Sequence, residues 1–366
     1  MNIRIFLMRK NCFFVLALLT LMTLSQVAYP QKNRKKRNNL KISNYRGSIK
    51  SFANKRYFAF GGGINIINYF GDLAPASGWA STDLKFTRPG ISLFLDYKYA
   101  PRVTFRLAFD MGTITGDDFT SADQNDDLAK YRYIRNIQFR NRIYDLSFQV
   151  KIDLLTNRGT YISRPAFNPY IFGGVGVFYH NPKAIAPEAD QLGNTIQEAG
   201  KWVALQPLGT EGQYSDAYDV KPYSKVQVSV PIGLGFSYKL GNNLDFSFEI
   251  GYRILFTDYI DDVSENYVDL GIFDNPLARA LSDRSQELKA VRTGEPRDFE
   301  NVILPNTTEY TYTSPYDGNT YTVFAGYGDG NPSSIRGNSG DNDMYFVTSL
   351  KITYIFGGTF QNAKFR

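Results

Sequence analysis

Apolar and polar residues alternate along eight stretches of this chain, and residues 225–239 show the pattern most clearly. There Val228, Ile232 and Phe236 occupy one set of alternate positions, while mostly polar or small residues occupy the other set. Successive side chains of a β-strand point to opposite faces, so this alternation predicts a strand with one apolar and one polar face. The predicted strands are residues 57–69, 90–99, 103–115, 143–154, 169–179, 225–239, 244–256 and 345–356.

The links between these strands alternate between long and short. Residues 100–102 and 240–243 form short links, residues 156–168 form one of middling length, and the other four links are long, the last covering residues 257–344. Short periplasmic turns and long extracellular loops are typical of outer-membrane barrels, in which the apolar face of each strand meets lipid. We therefore predict an all-β fold for residues 57–356: an eight-stranded antiparallel transmembrane outer-membrane β-barrel with long extracellular loops. Its even strand number would place both chain termini in the periplasm.

The first residues have the features of a secretory signal peptide. Arg4, Arg9 and Lys10 precede an apolar run at residues 12–24, and small residues follow it. This order predicts a signal peptide at residues 1–28. The single cysteine of the chain falls inside this leader, so the mature chain would have no thiol for a disulfide or a metal site.

Basic charge is concentrated near the N-terminus. Residues 1–56 contain 13 Lys and Arg and no acidic residue, which leaves 28 basic against 35 acidic residues elsewhere. We predict a basic periplasmic tail at residues 29–56 and a short periplasmic tail at residues 357–366. The basic tail would bind anionic inner-leaflet lipid, dock on an acidic periplasmic protein, or act as a solvated tether. Nucleic acid is not an expected partner. The candidate partner-binding residues are Lys35, Lys36 and Arg37.

Charged residues recur on the polar faces of the predicted strands, which would point into the barrel. They are Arg106, Asp110, Asp145, Lys151, Asp153, Asp245, Glu249 and Arg253. An eight-stranded barrel is just wide enough for side chains to fill its interior. Because an unpaired charge in such an interior is costly, we predict a lattice of ion pairs. A conducting pore or proton path is the less favoured alternative.

His180 is the only histidine and the only candidate base for a Ser-His-acid hydrolase. No nucleophile elbow or His-rich motif accompanies it, so packing within a loop is the favoured interpretation. We predict a protein with no catalytic residue and no cofactor.

Two acidic clusters in the predicted loops carry the oxygen ligands that calcium prefers. The first contains Asp117, Asp118, Asp123, Asp126 and Asp127. The second contains Asp329, Asn331 and Ser333. In the second cluster, Ser334 and Gly340 stand where a calcium-binding loop needs Gly and Glu. Solvated loops are therefore favoured, and no metal site is predicted.

Four arginines approach the fourth strand from the side of the long loops. They are Arg132, Arg135, Arg140 and Arg142. Guanidinium groups suit bidentate contacts with phosphate, so lipid-sugar phosphates of the outer leaflet are candidate ligands. Pairing with the acidic loop residues is the favoured interpretation.

The last long loop has local patterns of its own. Residues 276–291 are bounded by Pro276 and Gly294 in the positions typical of a helix start and end. Residues 309–313 and 320–324 flank a turn-forming segment and predict a hairpin.

Seven short sequence motifs are distributed along the chain. They are INYFGDL at 67–73, GDD at 116–118, RNIQFR at 135–140, NPYIFGGVGVF at 168–178, LQPLGTEGQ at 205–213, FTDYIDDVS at 256–264 and RGN at 336–338. In combination they resemble the PorG family of Bacteroidetes outer-membrane barrels. The resemblance implies a non-enzymatic component of the type IX secretion system, the machine tied to gliding motility and protein export.

The same resemblance implies partners: outer-membrane lipid, a PorK-type lipoprotein and a PorN-type periplasmic ring protein. Residues 270–335 and the basic tail have no counterpart that we can assign in that family. Two other functions remain as alternatives: a surface adhesin or receptor that acts through residues 257–344, and a lipid-modifying barrel enzyme that uses His180.

Overall fold

The computed structural model describes residue 52 and residues 55–73, 87–122, 127–340 and 342–356. The predicted signal peptide and the predicted C-terminal tail lie outside these described residues, as do Lys35, Lys36 and Arg37. Among the described residues, no helix combines the length and the apolar character needed to cross a membrane.

Eight long strands form a closed antiparallel barrel. They are β1 (Tyr57–Phe70), β2 (Arg88–Lys98), β3 (Val103–Asp117), β4 (Gln138–Asp153), β5 (Phe167–Tyr179), β8 (Val226–Lys239), β9 (Leu244–Leu255) and β12 (Met344–Phe356). Each pairs with the next in this order, and β12 pairs with β1 to close the ring. The predicted fold, an eight-stranded antiparallel barrel of the outer-membrane type, is confirmed.

Strand alternation sets the two faces of the barrel wall. On β4, Leu146 and Phe148 point outward and are about half exposed, whereas the intervening Ser147 and Gln149 are buried inside. The outward side chains of the other strands are likewise mainly apolar and exposed. Closure leaves no free strand edge, so the wall can satisfy its backbone between strands, as a bilayer requires; the β5–β8 pairing is interrupted between Gly173 and Gly176.

The predicted strand limits are correct to within two residues except at the start of β4. That strand begins at Gln138 rather than at residue 143, because it pairs with β3 as far as Gln138 opposite Asp117. From Phe139 on, the added residues alternate between buried and exposed, but the exposed ones, Arg140 and Arg142, are charged. An apolar pattern therefore ended before the strand did.

Secondary structure outside the barrel wall lies almost entirely in the long connections. These hold β6 (Lys183–Ile185), β7 (Trp202–Ala204), β10 (Glu309–Thr313), β11 (Thr320–Phe324) and three short helices, α1 (Asp118–Ser121), α2 (Asp127–Arg135) and α3 (Pro276–Ser282). One-turn 3₁₀ helices occur at Tyr161–Ser163 and Leu270–Ile272, and a π-helical turn at Phe299–Ile303. All long connections leave the barrel at one end, here called the loop end; the opposite end, with short links, is the turn end. The β10–β11 hairpin confirms its prediction residue for residue.

The helix predicted at residues 276–291 is shorter than expected, because α3 ends at Ser282. The carboxylate of Asp283 accepts a 2.9 Å hydrogen bond from the Ser285 N–H, which turns the chain away from the helix axis. Gly294 lies in a later turn at a φ of 70° and does not end the helix.

Candidate functional site

A buried arginine lies at the centre of the barrel interior. Arg106 Nε donates to Asp96 Oδ1 at 2.7 Å, and its Nη1 donates to Glu249 Oε1 at 2.6 Å. Lys151 Nζ lies 3.2 Å from the second oxygen of Asp96, and Lys351 pairs with the second oxygen of Glu249. Each carboxylate thus has two cationic partners, which offsets the cost of removing these charges from water.

Nearer the loop end, Arg253 Nη2 donates to Asp110 Oδ2 at 2.9 Å. Asp145 is fully buried and accepts a 2.7 Å hydrogen bond from the Ser229 hydroxyl. Its other carboxylate oxygen has no hydrogen-bond partner among the described residues. The structure therefore places Asp145 inside the barrel wall without an ion pair to a described residue.

Two further ion pairs lie at the turn end. Lys98 pairs with Asp153, and Arg164 Nη2 lies 2.6 Å from Asp245 Oδ1. Arg164 also donates to the carbonyl of Gly241 at 2.8 Å. This arginine, from the link between β4 and β5, therefore ties two turns together.

The sequence interpretation omitted four members of these pairs. Asp96, Lys98 and Lys351 occupy inward positions of β2 and β12, and the alternation that identified the other interior charges also applies to them. Arg164 belongs to a link without periodicity, so no pattern marks it.

Two cavities that described residues of the barrel interior line are small. One of about 60 Å³ lies at the turn end beside Lys98 and Asp153, and one of about 10 Å³ lies beside Asp110 and Arg253. A single water needs roughly 10–15 Å³ of such space. The interior therefore has room for a few waters, and its geometry favours an ion-pair lattice over a conducting path.

The described parts of the long connections pack into what we call the loop cap: residues 71–73, 118–122, 127–137, 180–225, 256–340 and 342–343. Arg135 organises one part of it. Its guanidinium contacts both carboxylate oxygens of Asp118 at 2.8 Å and donates to the carbonyls of Arg336 at 2.6 Å and Asp72 at 3.0 Å. The contacts with Asp118 lie within the connection between β3 and β4, whereas those with Arg336 and Asp72 link this connection to two others.

Arg336 continues this network. Its Nη1 donates to Glu211 Oε1 and to the Asp262 carbonyl, each at 2.6 Å. Glu211 also accepts the N–H groups of Ser264 at 3.0 Å and Glu265 at 3.2 Å. Burial raises the pKa of Glu211, and the adjacent Arg336 guanidinium opposes that rise.

Two consecutive aspartates, Asp261 and Asp262, lie close to the Arg336–Glu211 pair. Asp262 accepts hydrogen bonds from the hydroxyls of Thr210 at 2.5 Å and Tyr223 at 2.6 Å, and burial raises its pKa to about 7. The Tyr69 hydroxyl lies 2.7 Å from both Asp261 Oδ2 and Asp343 Oδ1. Burial raises the pKa of Asp343 to about 8 and that of Asp261 well above its ordinary value. The Asp261–Asp343 pair therefore holds a proton near neutral pH.

Most of these residues belong to the motifs that carry the resemblance described above. Six of the seven motifs contribute to the network, and the seventh, at 168–178, forms part of β5. The contributing residues are Tyr69, Asp72, Asp118, Arg135, Thr210, Glu211, Asp261, Asp262 and Arg336. Segments far apart in sequence therefore meet in one buried polar cluster, here called the cap network.

His180 is a packing residue of the loop cap. Its ring is fully buried, stacks on Tyr223 with 5.7 Å between centroids, and its Nε2 lies 3.1 Å from the Ser224 carbonyl. Burial lowers its pKa to about 4, so the ring is neutral at neutral pH. It offers no exposed atom to a substrate.

The acidic clusters do not form a metal site among the described residues, which hold no group of three or more His, Cys, Asp or Glu placed to bind one ion. Asp117 caps α1 by accepting the Thr120 N–H, and Asp118 pairs with Arg135. Both are buried, so the expectation of solvated side chains is wrong for them. The side chains of Asp123, Asp126 and Asp127 lie outside the described residues.

The second acidic cluster has a local explanation. Asp329 Oδ1 accepts the Asn331 N–H at 3.1 Å, and Asn331 Oδ1 accepts the Ser333 N–H at 3.0 Å. Two successive side-chain turns of this kind produce the alternate spacing that resembles a calcium loop.

The four arginines divide into two pairs. Arg135 pairs with an acidic loop residue, as expected, and Arg132 Nη2 donates to the Ser121 hydroxyl at 3.0 Å. Arg140 and Arg142 instead lie exposed on the outward face of β4.

The chain is similar to one domain family in sequence and to several solved structures. Residues 49–200 match DUF6089, a domain of unknown function. No curated protein sequence matches the chain. Among solved structures, Neisserial surface protein A (NspA) is similar at 7% identity and a TM-score of 0.34, with 82% of this chain and 97% of that chain covered. OprG from Pseudomonas aeruginosa is similar at 10% identity and a TM-score of 0.34, with 82% of this chain and 95% of that chain covered. Ail of Yersinia pestis is similar at 7% identity and a TM-score of 0.32, with 82% of this chain and 99% of that chain covered.

Proposed function

We propose that this chain is a non-enzymatic outer-membrane component of the type IX secretion system that anchors or organises the periplasmic ring. The observation that carries this proposal is the cap network. Six of the seven motifs that resemble the PorG family supply its residues, so they have one common structural cause. This convergence favours a family relationship over chance similarity between separate short segments.

In this proposal the barrel spans the outer membrane, with the loop end outside and both termini in the periplasm. The apolar outward face would contact lipid, and barrel closure would satisfy the backbone within the bilayer. β1 begins at the turn end, where Tyr57 is opposite Lys98. The basic tail at residues 29–56 directly precedes β1 in the sequence, so in this proposal it would lie on the periplasmic side.

In the proposed mechanism the barrel holds the ring proteins in place at the outer membrane. A PorK-type lipoprotein or a PorN-type ring protein would bind the periplasmic face of the barrel, with Lys35, Lys36 and Arg37 contacting acidic side chains of that partner. The paired charges of the barrel interior favour a rigid anchor over a channel, because the ion pairs fill the space that a channel would need.

Secretion of type IX cargo in a clean deletion strain tests the proposal. We expect cargo to be trapped in the periplasm and to be released again when the full chain is restored. Normal secretion in the deletion strain would overturn the assignment.

The tail provides a sharper test within the same strain. Neutralising Lys35→Gln, Lys36→Gln and Arg37→Gln together should reduce co-purification of the ring proteins roughly tenfold, if the three charges contribute about 1.4 kcal/mol in total. Neutralising Lys41, Arg46 and Lys50 removes the same charge from the same tail and serves as the matched control. An equal loss in both variants would show dependence on total charge and would refute a site at residues 35–37.

A surface receptor is the second candidate, and exposed apolar side chains on the loop cap favour it. Leu288, Leu304 and Tyr316 are 72%, 51% and 53% exposed. Replacing these three with Ser should abolish adhesion to the host or substrate surface if the cap is a receptor, and should leave cargo secretion intact. Unchanged adhesion would remove this candidate.

A further inference from the structure

The outward face of β4 changes character towards the loop end. Leu146 and Phe148 are exposed apolar residues, Tyr144 follows at the next outward position, and Arg142 and Arg140 follow beyond it. Apolar, then aromatic, then cationic is the order expected where a strand leaves the hydrocarbon and enters the headgroup layer of a membrane.

A third cation joins the two arginines from a neighbouring strand. Lys183 of β6 lies directly opposite Arg140 in the antiparallel register. Like charges at directly opposite positions destabilise a sheet, so this pairing calls for an anion between them. Together with Arg142, these residues surround an open cavity of about 270 Å³, which Tyr144 and Tyr179 also line.

No acidic residue lines this cavity among the described residues. Within the same part of the chain, none of its three cations forms an ion pair. The Arg140 guanidinium lies 4.1 Å above the Trp202 ring, which restricts its orientation. Stacking occupies the face of a guanidinium, so its N–H edge can still donate hydrogen bonds.

We propose that this cavity binds the phosphate group of a membrane lipid in the leaflet at the loop end. Phosphate is the anion that planar guanidinium groups recognise in bidentate fashion. The lipid rather than free phosphate is the source because the cations continue the lipid-facing row of β4, where Tyr144 and Leu146 would contact the acyl chains. The proposal rests on the proposed embedding of the barrel in the outer membrane and is independent of a role in secretion.

The test uses the full chain in phosphatidylcholine nanodiscs that contain bisphosphorylated lipid A, followed by native mass spectrometry of the re-extracted protein. The variant is Arg140→Gln, Arg142→Gln and Lys183→Gln together. The control is Lys221→Gln, Lys289→Gln and Arg292→Gln, which removes the same charge from exposed positions of the loop cap. The heat-dependent gel shift of each protein establishes that its barrel is folded.

We expect the unaltered chain and the control to retain phosphorylated lipid A, and the cavity variant to retain at least about tenfold less. Dephosphorylated lipid A should be retained poorly by all three proteins. Equal retention by the cavity variant would overturn the proposal, and so would an equal loss in the control. Binding of inorganic phosphate alone in detergent, with the same dependence on the three cations and no preference for lipid A, would overturn the lipid assignment. Normal cargo secretion in a deletion strain would refute the secretion role and leave this result unaffected.

Discussion

Arg135 and Arg336 are 201 residues apart, yet the Arg135 guanidinium donates a 2.6 Å hydrogen bond to the Arg336 carbonyl oxygen. Each arginine also contacts a buried carboxylate, Asp118 for Arg135 and Glu211 for Arg336. This relationship joins the connection before β4 to the connection before β12. The loop cap is thus held together by charged groups shared between connections, in addition to its small apolar clusters.

Replacing Arg336 should loosen the loop cap while the barrel stays folded. Arg336→Met leaves the Glu211 carboxylate buried without its cation, and breaking a buried pair in this way costs about 3–5 kcal/mol. We expect faster hydrogen exchange at the Ser264 and Glu265 amides, which donate to Glu211.

Two variants make that measurement specific. The double variant Glu211→Gln with Arg336→Met removes the unpaired charge and should recover part of the protection. Arg292→Met, which removes an exposed arginine of the same cap, should have no effect. Unchanged exchange in Arg336→Met would contradict a supporting role for this pair.

Deprotonation of Asp343 should destabilise the loop cap as the pH rises. Burial raises the pKa of Asp343 from its ordinary value of 3.8 to about 8. The folded form therefore holds a proton that the unfolded form releases, so the contribution to stability is complete below pH 3.8 and is lost as the pH rises to about 8. Asp343→Asn keeps a neutral group that can accept from the Ile260 N–H, as Asp343 does.

Limited proteolysis of both proteins at each pH checks this dependence, because the pH response of the protease cancels in the ratio. The cleavage rate of the unaltered chain relative to Asp343→Asn should rise at least about tenfold between pH 5 and pH 8 and then level off. A ratio of cleavage rates that stays constant between pH 5 and pH 8 would disprove the raised pKa of Asp343.

How far the sequence predicts this molecule depends on the range of the interactions. The barrel strands follow from alternation, which is local, and the same rule puts Arg106 and Glu249 inside the barrel. Which charges pair is a matter of register around the closed ring, as with Arg106 and Glu249, which are 143 residues apart. No periodic pattern marks Glu211 and Arg336, which lie in irregular connections; only the resemblance to a known family singled out those two segments.

Arg106 should be the most sensitive position of the barrel interior. Arg106→Met would remove the cation that Asp96 and Glu249 share and leave each carboxylate with one lysine partner, so the cost should stay below the roughly 3–5 kcal/mol of a fully broken buried pair. The triple variant Asp96→Asn, Arg106→Met and Glu249→Gln also removes the carboxylates that pair with Lys151 and Lys351, so it leaves two buried cations unpaired and should be more destabilised. Urea unfolding of both variants in liposomes gives the comparison. Equal destabilisation would show that Arg106 acts through packing rather than through charge.

Gly61 should be intolerant of any side chain because of the ring that lies over it. A Cβ built at this inward position of β1 would be 2.2 Å from the Phe94 ring and 2.7 Å from the Ile352 carbonyl oxygen. Phe94 in turn lies 4.2 Å from the Arg106 guanidinium, so displacing the ring would also disturb the central ion pairs. Gly61→Val should therefore lower the free energy of unfolding by about 1–3 kcal/mol or more, the usual effect of overpacking.

The neighbouring Gly62 supplies the control for that prediction. It points outward, and a Cβ there would lie 3.3 Å from a terminal methyl of the flexible Leu93 side chain and 3.3 Å from the Ser92 carbonyl oxygen, without a contact below 3 Å. Gly62→Ala should thus fold with nearly unchanged stability in urea titration. Adding Phe94→Leu to Gly61→Val should restore part of the lost stability, because it removes the ring but not the contact with the Ile352 carbonyl. If the second substitution restores nothing, the clash with the backbone, and not the displacement of Phe94 from Arg106, accounts for the requirement for glycine.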